Sequence, residues 1–255
     1  MGLFDKLFSK KECSVCGGEI GLLGNRKLED GNLCKNCAAK LSPWFNDRRS
    51  STVDAIRKQL DDREANRAKV AAFRTTRTLG DGTKVLLDED AGLFMVTDAR
   101  DLIDANPDVL AFSDVTGCIL DIDEDRTEVM REDKDGNDVS YTPPRYKYDY
   151  DFYLTIQVRN PYFDEIRFQL NDHSIELGVG GVTTRPNPAM SMEYNRCKAM
   201  GEEMRDALLH LRQQTRDAAI ASAAPKTAVT CPYCGATTIP DASGCCEYCG
   251  GSVRA

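Results

Sequence analysis

The chain has 255 residues, of which 41% are hydrophobic and 29% are charged, with 33 Lys and Arg against 41 Asp and Glu. This composition is typical of a globular protein with one or two domains. It contains no run of about 18 apolar residues that would predict a transmembrane helix, and no signal peptide is recognisable. We therefore expect a cytoplasmic protein.

The charge is distributed unevenly along the chain. Residues 1–60 contain 11 Lys and Arg and 7 Asp and Glu, whereas residues 61–185 contain 15 and 27. Since an acidic surface repels the phosphate backbone, the middle of the chain is a poor surface for nucleic acid. Only the N-terminal segment is expected to offer a basic patch.

Apolar side chains at the N-terminus suggest a short amphipathic helix. Leu3, Phe4, Leu7 and Phe8 would form one face, and lysines follow them. Such a segment can lie on an anionic membrane surface. Two helical turns are marginal in water, however, so docking onto the protein's own core or onto a partner is the favoured alternative.

Eight of the 11 cysteines form C-x2-C pairs near the two ends of the chain. Disulfides are rare in the cytoplasm, and zinc takes four thiolates in a tetrahedral shell, which two such pairs on facing turns complete. We therefore predict two structural zinc ions, with no open coordination position for catalysis. The predicted ligands are Cys13, Cys16, Cys34 and Cys37 at one site and Cys231, Cys234, Cys246 and Cys249 at the other.

The flanks of these pairs predict two different zinc modules. A helix expected at 38–41 after the second pair indicates a treble-clef-like finger over residues 1–48. The module at 223–255 has no following helix and indicates a zinc ribbon. Cys246 completes the last C-x2-C pair, although Cys245 beside it stays an alternative ligand.

A connecting helix is predicted over residues 49–70. Thr52 and the two serines before it are alternative N-caps. The apolar stripe is narrow, and we expect a largely solvated helix. The stripe consists of Val53, Ile56 and Leu60, and the charged residues expected to be exposed include Arg63, Glu64 and Arg67.

From about residue 71 the hydrophobic pattern has a period of two, which predicts strands. In the clearest strand, 146–158, apolar side chains take the even positions and polar ones most of the odd positions, as in a half-buried antiparallel strand. Further strands are predicted at 84–87, 93–97, 115–122, 127–131, 139–141 and 166–170.

A long helix over 190–221 follows the strands. Its apolar stripe recurs at steps of three and four residues and is expected to pack on the sheet. The stripe comprises Tyr194, Cys197, Gly201, Met204, Leu208 and Leu211. About seven strands followed by one helix suggest, by analogy, a pleckstrin-homology-like body over 71–222. The predicted fold class is thus α+β: a treble-clef-like finger, an antiparallel β-rich body with a long C-terminal helix, and a zinc ribbon.

The string MGLFDKLFSKKECSVCGGEIGLLGNRKLEDGNLCKNCAAKLSPWF resembles a bacterial family of unknown function, whose N-terminal module is described as a transcription-factor-B-like zinc-binding domain. The later strings DEDAGLFMV, DVTGCILDIDEDRTE, NPYFDEIRFQL and CPYCGATTIPDASGCCEYCGG look like full-length members. The resemblance implies zinc ligands at Cys13, Cys16, Cys34 and Cys37 and a bacterial origin. It implies no activity, and the transcription-factor label describes a zinc fold rather than DNA binding.

Other candidate sites are weaker. His173 and His210 stand in no recognisable nucleophile or metal motif, and Gly178, Gly180 and Gly181 are predicted to form a loop without the lysine of a phosphate-binding loop. Cys118 and Cys197 lie on apolar runs and are expected to be small buried hydrophobes. These residues are therefore not expected to form an active site.

An acidic stretch loosely resembles a calcium loop. Asp121, Asp123 and Asp125 alternate, and Glu132 stands twelfth from Asp121. The sixth position is Arg126, where the EF-hand requires glycine. An acidic strand end is therefore the preferred interpretation.

These features favour a non-enzymatic adaptor whose zinc modules are platforms for a protein partner. One alternative is a regulator that contacts DNA or RNA through basic residues and stacking aromatics of the finger. Another is a peripheral membrane protein that uses residues 3–8. The basic and aromatic residues in question are Arg26, Lys27, Lys35, Lys40, Trp44, Phe45, Arg48 and Arg49.

Overall fold

The structure is a computed structural model that describes residues 11–21, 23–223, 228–241 and 243–253. It separates into two units, Met1–Gln213 and Gln214–Ala255. Within the described part of the chain, no helix combines the length and the apolar character needed to cross a membrane. The predicted amphipathic segment 3–8 lies outside the described residues.

Two small hairpins and one short helix build the N-terminal finger. The strands are β1 (Lys11–Glu12), β2 (Glu19–Ile20), β3 (Arg26–Lys27) and β4 (Asn32–Leu33), paired β1 with β2 and β3 with β4. The helix α1 (Lys35–Ala38) begins between the second pair of cysteines, earlier than the predicted 38–41. The reason is that the Cys34 sulfur accepts the backbone N–H of Cys37 and caps the helix.

Helix α2 (Val53–Ala72) begins after Thr52, one of the three alternative N-caps, and the Thr52 hydroxyl accepts the backbone N–H of Ala55 at 3.2 Å. The expectation that Arg63 is exposed is wrong, since Arg63 is only 8% exposed. Most other positions of the helix are exposed as expected, Glu64 and Arg67 among them. One face of α2 is buried at steps of three and four residues, and its centre is polar. The buried residues are Ile56, Gln59, Arg63, Asn66 and Val70.

Arg63 holds α2 against both the finger and the body. Its guanidinium donates to the Asp108 carboxylate at 2.8 Å and to the Asn106 carbonyl at 2.5 Å. A longer bond of 3.4 Å reaches the Lys40 carbonyl. The second Asp108 oxygen accepts the Ser42 hydroxyl at 2.7 Å. A buried charge pair of this kind is stable only when such additional hydrogen bonds satisfy it.

Asn66 extends the same network one turn further along α2. Its amide donates to the Asn106 side chain at 2.8 Å and to the Pro107 carbonyl at 2.7 Å, and its oxygen accepts the Val109 N–H at 3.1 Å. Asn106 has a left-handed φ of 48° and donates to the Arg63 carbonyl. The segment 106–109 is thus fixed by two side chains of one helix.

The first sheet of the body is antiparallel, with its four strands in sequence order. The predicted hairpin at 84–87 and 93–97 is confirmed, and a short helix precedes the last strand. The elements are β5 (Arg77–Leu79), β6 (Lys84–Asp88), β7 (Leu93–Thr97), α3 (Leu102–Ala105) and β8 (Leu110–Ala111).

The second sheet is organised around one long strand. It comprises β9 (Val115–Glu132), β10 (Asp138–Val158), β11 (Glu165–Gln169) and β12 (Ile175–Val182). Strand β9 pairs with β10 along its length, and β11 and β12 pair with separate parts of β10. Two pairs of predicted strands, 115–122 with 127–131 and 139–141 with 146–158, are each one continuous strand instead.

The glycines predicted to form a loop lie inside β12. Gly178, Gly180 and Gly181 have φ values of 77°, 76° and 84°, a left-handed conformation that glycine adopts readily and that is also common in turns. A Cβ on Gly181 would lie 2.8 Å from the Arg145 Cβ. Close packing of neighbouring side chains therefore requires glycine in this strand.

The long helix α4 (Met192–Ala223) packs its predicted apolar stripe on the second sheet. Met204 and Leu208 are fully buried. The Tyr194 ring stands edge-on to Tyr150 and Phe152, with ring centroids 5.2 and 5.0 Å away. The even positions of 148–158 are buried as predicted.

The C-terminal unit adds the last turns of α4 and a hairpin of β13 (Val229–Thr230) and β14 (Thr237–Thr238). The α+β class with antiparallel sheets, a long C-terminal helix and cysteine clusters in both units is confirmed. The pleckstrin-homology-like analogy and the domain boundaries 1–48, 49–70, 71–222 and 223–255 stay predictions.

Replacing Arg63 by methionine removes the guanidinium, keeps an unbranched apolar chain and leaves the largely buried Asp108 carboxylate without its charge partner. We expect Arg63→Met to lower the free energy of unfolding by about 3 kcal/mol, measured by chemical denaturation with zinc present. Arg67→Met is the control, because Arg67 is half exposed and pairs with an exposed Glu64. It should cost less than about 1 kcal/mol. Equal losses in the two variants would contradict a special role for the buried pair.

Candidate metal centres

The structure brings the eight predicted cysteines together as two groups of four. In each group all sulfur atoms lie within 4.8 Å of one another. Three Sγ–Sγ distances are 3.8 Å for Cys16 to Cys34, 3.6 Å for Cys231 to Cys249 and 3.8 Å for Cys234 to Cys246. Four sulfurs at about 2.3 Å from a tetrahedral zinc would be about 3.8 Å apart. Two four-cysteine sites with such spacing suggest two structural zinc ions.

Three of the four C-x2-C pairs form the same tight turn. In each, the glycine after the second cysteine donates its N–H to the carbonyl of the first cysteine. Its φ lies near 70°, which glycine adopts without strain. The bonds join Gly17 to Cys13 (2.8 Å), Gly235 to Cys231 (2.9 Å) and Gly250 to Cys246 (2.8 Å), with φ values of 70°, 73° and 70°.

The fourth pair lies at the start of helix α1. The backbone N–H of Cys34 donates to the Cys13 sulfur at 3.3 Å, which ties the helix to the first turn. Cys37 lies inside the helix and is buried. A turn on one side and a helix start on the other is the treble-clef-like arrangement predicted for this finger.

In the N-terminal group, the surroundings lower the pKa of one cysteine thiol and raise the pKa of another. Burial acts to raise the pKa of the Cys13 thiol, but backbone N–H groups, chiefly those of Cys16 and Cys34, lower that pKa to about 6. Burial and the neighbouring thiols raise the pKa of Cys37. A divalent cation removes the mutual repulsion of such thiolates, so the donor set fits zinc.

The C-terminal group has the same asymmetry. Burial acts to raise the pKa of Cys231, but backbone N–H groups of Cys234 and Tyr233 lower it to about 7. At Cys249 the N–H of Gly251 acts to lower the pKa, and the neighbouring thiols raise it to about 12. In both groups, a bound divalent metal ion would balance the negative charge of the thiolates.

Cys246, and not Cys245, joins the C-terminal group. Cys245 donates its backbone N–H to the Asp241 carboxylate at 2.9 Å and forms an isolated bridge with Ser252. Its backbone thus shapes the loop before the last turn, whereas Cys246 is 2% exposed among the clustered sulfurs.

The other candidates of the sequence lie apart from both groups. His173 and His210 are exposed, and Cys118 and Cys197 are buried in the main core. Burial, as the largest effect, raises the pKa of Cys118 to about 12, so it is a poor nucleophile. Asp121 belongs to strand β9 and pairs with Arg167 at 3.1 Å, as expected of an acidic strand rather than a calcium loop.

The two aromatic residues expected to stack on nucleic acid pack against other parts of the protein. Trp44 packs against the main core and Phe45 against the core of the finger. Lys27 and Arg49 line one shallow groove with Glu29, so an acidic side chain interrupts the basic surface there. Both rings are thus partly buried by packing within the protein.

Sequence reasoning overlooked two tyrosines of the C-terminal module. Tyr233 and Tyr248 each occupy the third position of a C-x2-C turn, and each is 72% exposed. The signal was available, because the strings CPYC and CEYC repeat a tyrosine at the same place.

Comparison with known proteins gives a family match for the N-terminal module alone. A family described as a domain of unknown function (DUF4428) matches residues 11–59, which include the first four cysteines. No curated protein and no solved structure matches the chain. The N-terminal segment is therefore similar to a domain of unknown function, as the resemblance in the sequence implied.

Protein purified under reducing conditions is expected to contain two zinc ions per chain by elemental analysis. Cys13→Ser and Cys231→Ser should each leave one zinc ion, because each removes a ligand from one site only. Cys118→Ser is the control and should keep two. Iron, or no metal in the unmodified protein, would show that the clusters are not zinc sites.

The two adjacent cysteines near the C-terminus are expected to differ. Cys246→Ser should lower the zinc content to one ion, whereas Cys245→Ser should retain two, since only Cys246 lies with the clustered sulfurs. Elemental analysis of both variants decides between them. Loss of zinc from the Cys245 variant alone would reverse the ligand assignment.

Proposed function

We propose that this protein is a non-enzymatic cytoplasmic adaptor whose zinc modules present rigid surfaces to a protein partner. The observation that carries the proposal is the pair Tyr233 and Tyr248, each 72% exposed on a hydrogen-bonded turn of the C-terminal module. Tyrosine is enriched among the residues that dominate binding energy at protein interfaces. A ring presented by a metal-fixed turn loses little freedom on binding.

The surroundings of the two tyrosines favour a protein over a nucleic acid. Ile239 on the same module is 47% exposed and adds apolar surface. Residues 228–241 and 243–253 contain Asp241 and Glu247 but no Lys or Arg. Since affinity for nucleic acid depends on neutralising phosphates, this surface is unsuited to DNA or RNA.

The closed coordination of the cysteine groups supports a structural role for the metal. Four thiolates leave no position for water or substrate on zinc. The cytoplasm suits such sites, because thiols stay reduced there. The resemblance to a bacterial family makes a bacterial cell the first place to look for the partner.

Removing both tyrosine rings is expected to abolish partner capture without loss of zinc. The experiment compares affinity capture from a bacterial lysate by the full chain and by the double variant Tyr233→Ser/Tyr248→Ser. Elemental analysis of both proteins confirms equal zinc content. The bound proteins are identified by mass spectrometry, and nuclease treatment separates protein partners from partners held through nucleic acid.

A matched control removes two other exposed apolar side chains. Met190 and Met192 are 82% and 89% exposed, so Met190→Ser/Met192→Ser tests whether any loss of apolar surface weakens capture. This control should capture the same proteins as the unmodified chain. Capture that survives in the tyrosine variant, or that disappears with nuclease, would contradict the proposal.

A further inference from the structure

The two cysteine groups are embedded in unequal amounts of apolar packing. In the described part of the C-terminal module, the buried cluster consists of Cys231, Cys246 and Val253. In the finger, Cys13 and Cys37 share their buried cluster with large aliphatic side chains, namely Ile20, Leu28, Leu33, Leu41 and Ile56. Since burial of aliphatic side chains drives folding, the finger has a source of folding free energy besides the metal. The C-terminal module has little of it.

Helix α2 further supports the finger through contacts that involve no metal. The Arg57 guanidinium donates to the Ser14 carbonyl at 2.7 Å, directly beside the ligand Cys13. The backbone N–H of Val53 donates to the Asp30 carboxylate at 2.7 Å. These bonds hold the finger on a helix of 20 residues, so its cysteines are positioned in part before a metal binds.

The backbone bonds that shape the C-terminal turns join residues close together in the same module. Cys231 donates its N–H to the Ala236 carbonyl and Cys246 to the Gly251 carbonyl, both at 2.9 Å. Short turns of this kind do not order a chain by themselves, because fixing the backbone costs conformational entropy. Metal coordination therefore has to supply the free energy that orders these turns.

Tyr233 of the first C-terminal turn packs against the backbone that follows the second turn. A Cβ on Gly251 would lie 2.6 Å from Cδ2 of the Tyr233 ring, although Tyr233 is 72% exposed. The position of this ring thus depends on both turns at once. Four thiolates on one ion would hold the two turns together.

This difference in packing affects the affinity of each site for zinc. Both sites offer four thiolates, so the bonding to the ion is alike. A site that must fold in order to bind has an apparent dissociation constant raised by the reciprocal of its folded fraction. That fraction is small in a module with so few buried apolar side chains. We therefore expect weaker zinc binding at the C-terminal site than at the finger.

We propose that the C-terminal module is a zinc-responsive switch. As free zinc falls, this module releases its ion while the finger retains its own, and the two turns that carry Tyr233 and Tyr248 unfold. The use of the switch, turning off a protein-binding surface, rests on the proposed function of these tyrosines. The order of release rests on packing alone and is measured without a partner.

The test equilibrates the full-length, zinc-loaded protein, labelled with ¹⁵N, in zinc buffers of decreasing free zinc under a phosphine reductant. Elemental analysis gives the zinc bound per chain, and NMR follows the backbone amides of Gly17 in the finger and of Gly235 and Gly250 in the C-terminal turns. We expect two steps. The amides of Gly235 and Gly250 should move to random-coil positions at a free zinc concentration at least about tenfold higher than that of Gly17.

Single-site variants assign the two steps independently of the NMR signals. Cys13→Ser leaves the C-terminal site, and its half-occupancy should match the first step of the unmodified chain. Cys231→Ser leaves the finger and should match the second step. Cys118→Ser is the control and should show both steps, because Cys118 lies outside both cysteine groups. Should Cys13→Ser not fold, the NMR of the unmodified chain still gives the order of release.

The outcomes separate failure of the switch from failure of the adaptor function. Release of both ions at one free zinc concentration, release from the finger first, or turns that stay ordered after losing zinc would overturn the switch. Partner capture by the chain with one zinc ion, equal to capture with two, would also overturn it and leave the adaptor function standing. If nothing is captured with two zinc ions bound, the adaptor function fails, and the order of release still decides the switch.

Discussion

The architecture of Met1–Gln213 depends on the buried ion pair between Arg63 and Asp108. Desolvating two charges costs several kcal/mol per ion, so the pair is stable only where further donors and acceptors surround it. The finger supplies the Lys40 carbonyl and the Ser42 hydroxyl, and the segment before β8 supplies the Asn106 carbonyl. One geometry satisfies all of these groups together, and that geometry fixes the rotation of α2 and the placement of the finger against the first sheet.

The two zinc modules differ in how much apolar packing supports the metal. Leu28, Leu33 and Ile56 are fully buried in the core of the N-terminal finger. In the described part of the C-terminal module, the buried cluster consists of Cys231, Cys246 and Val253. Two of those three residues are proposed ligands, so metal coordination must supply most of the folding energy of that module. The N-terminal finger has apolar packing in addition.

Short sequence patterns predicted those features of the structure that depend on residues close together in the chain. The C-x2-C spacing reflects the reach of one turn, and the alternation over 146–158 reflects one strand face, so both could be derived from the sequence. The buried polar face of α2 could not be derived from the sequence, because the hydrogen-bond partners of Arg63 and Asn66 lie more than 40 residues away along the chain. Strand β12 was missed for another reason. Its glycines have the φ values of turns, and only the three-dimensional neighbours of Gly181 show why a strand needs them.

Strand β9 has a consequence for the behaviour of the protein at high concentration. Among the described strands it pairs with β10 alone. The other edge of this 18-residue strand, about 60 Å long, therefore has no strand partner within the described part of the chain. Such an edge recruits the edges of other copies unless charge opposes it. Asp121, Asp123, Asp125 and Glu128 place carboxylates along this edge strand. The acidity of the middle of the chain thus opposes self-association of copies through this edge.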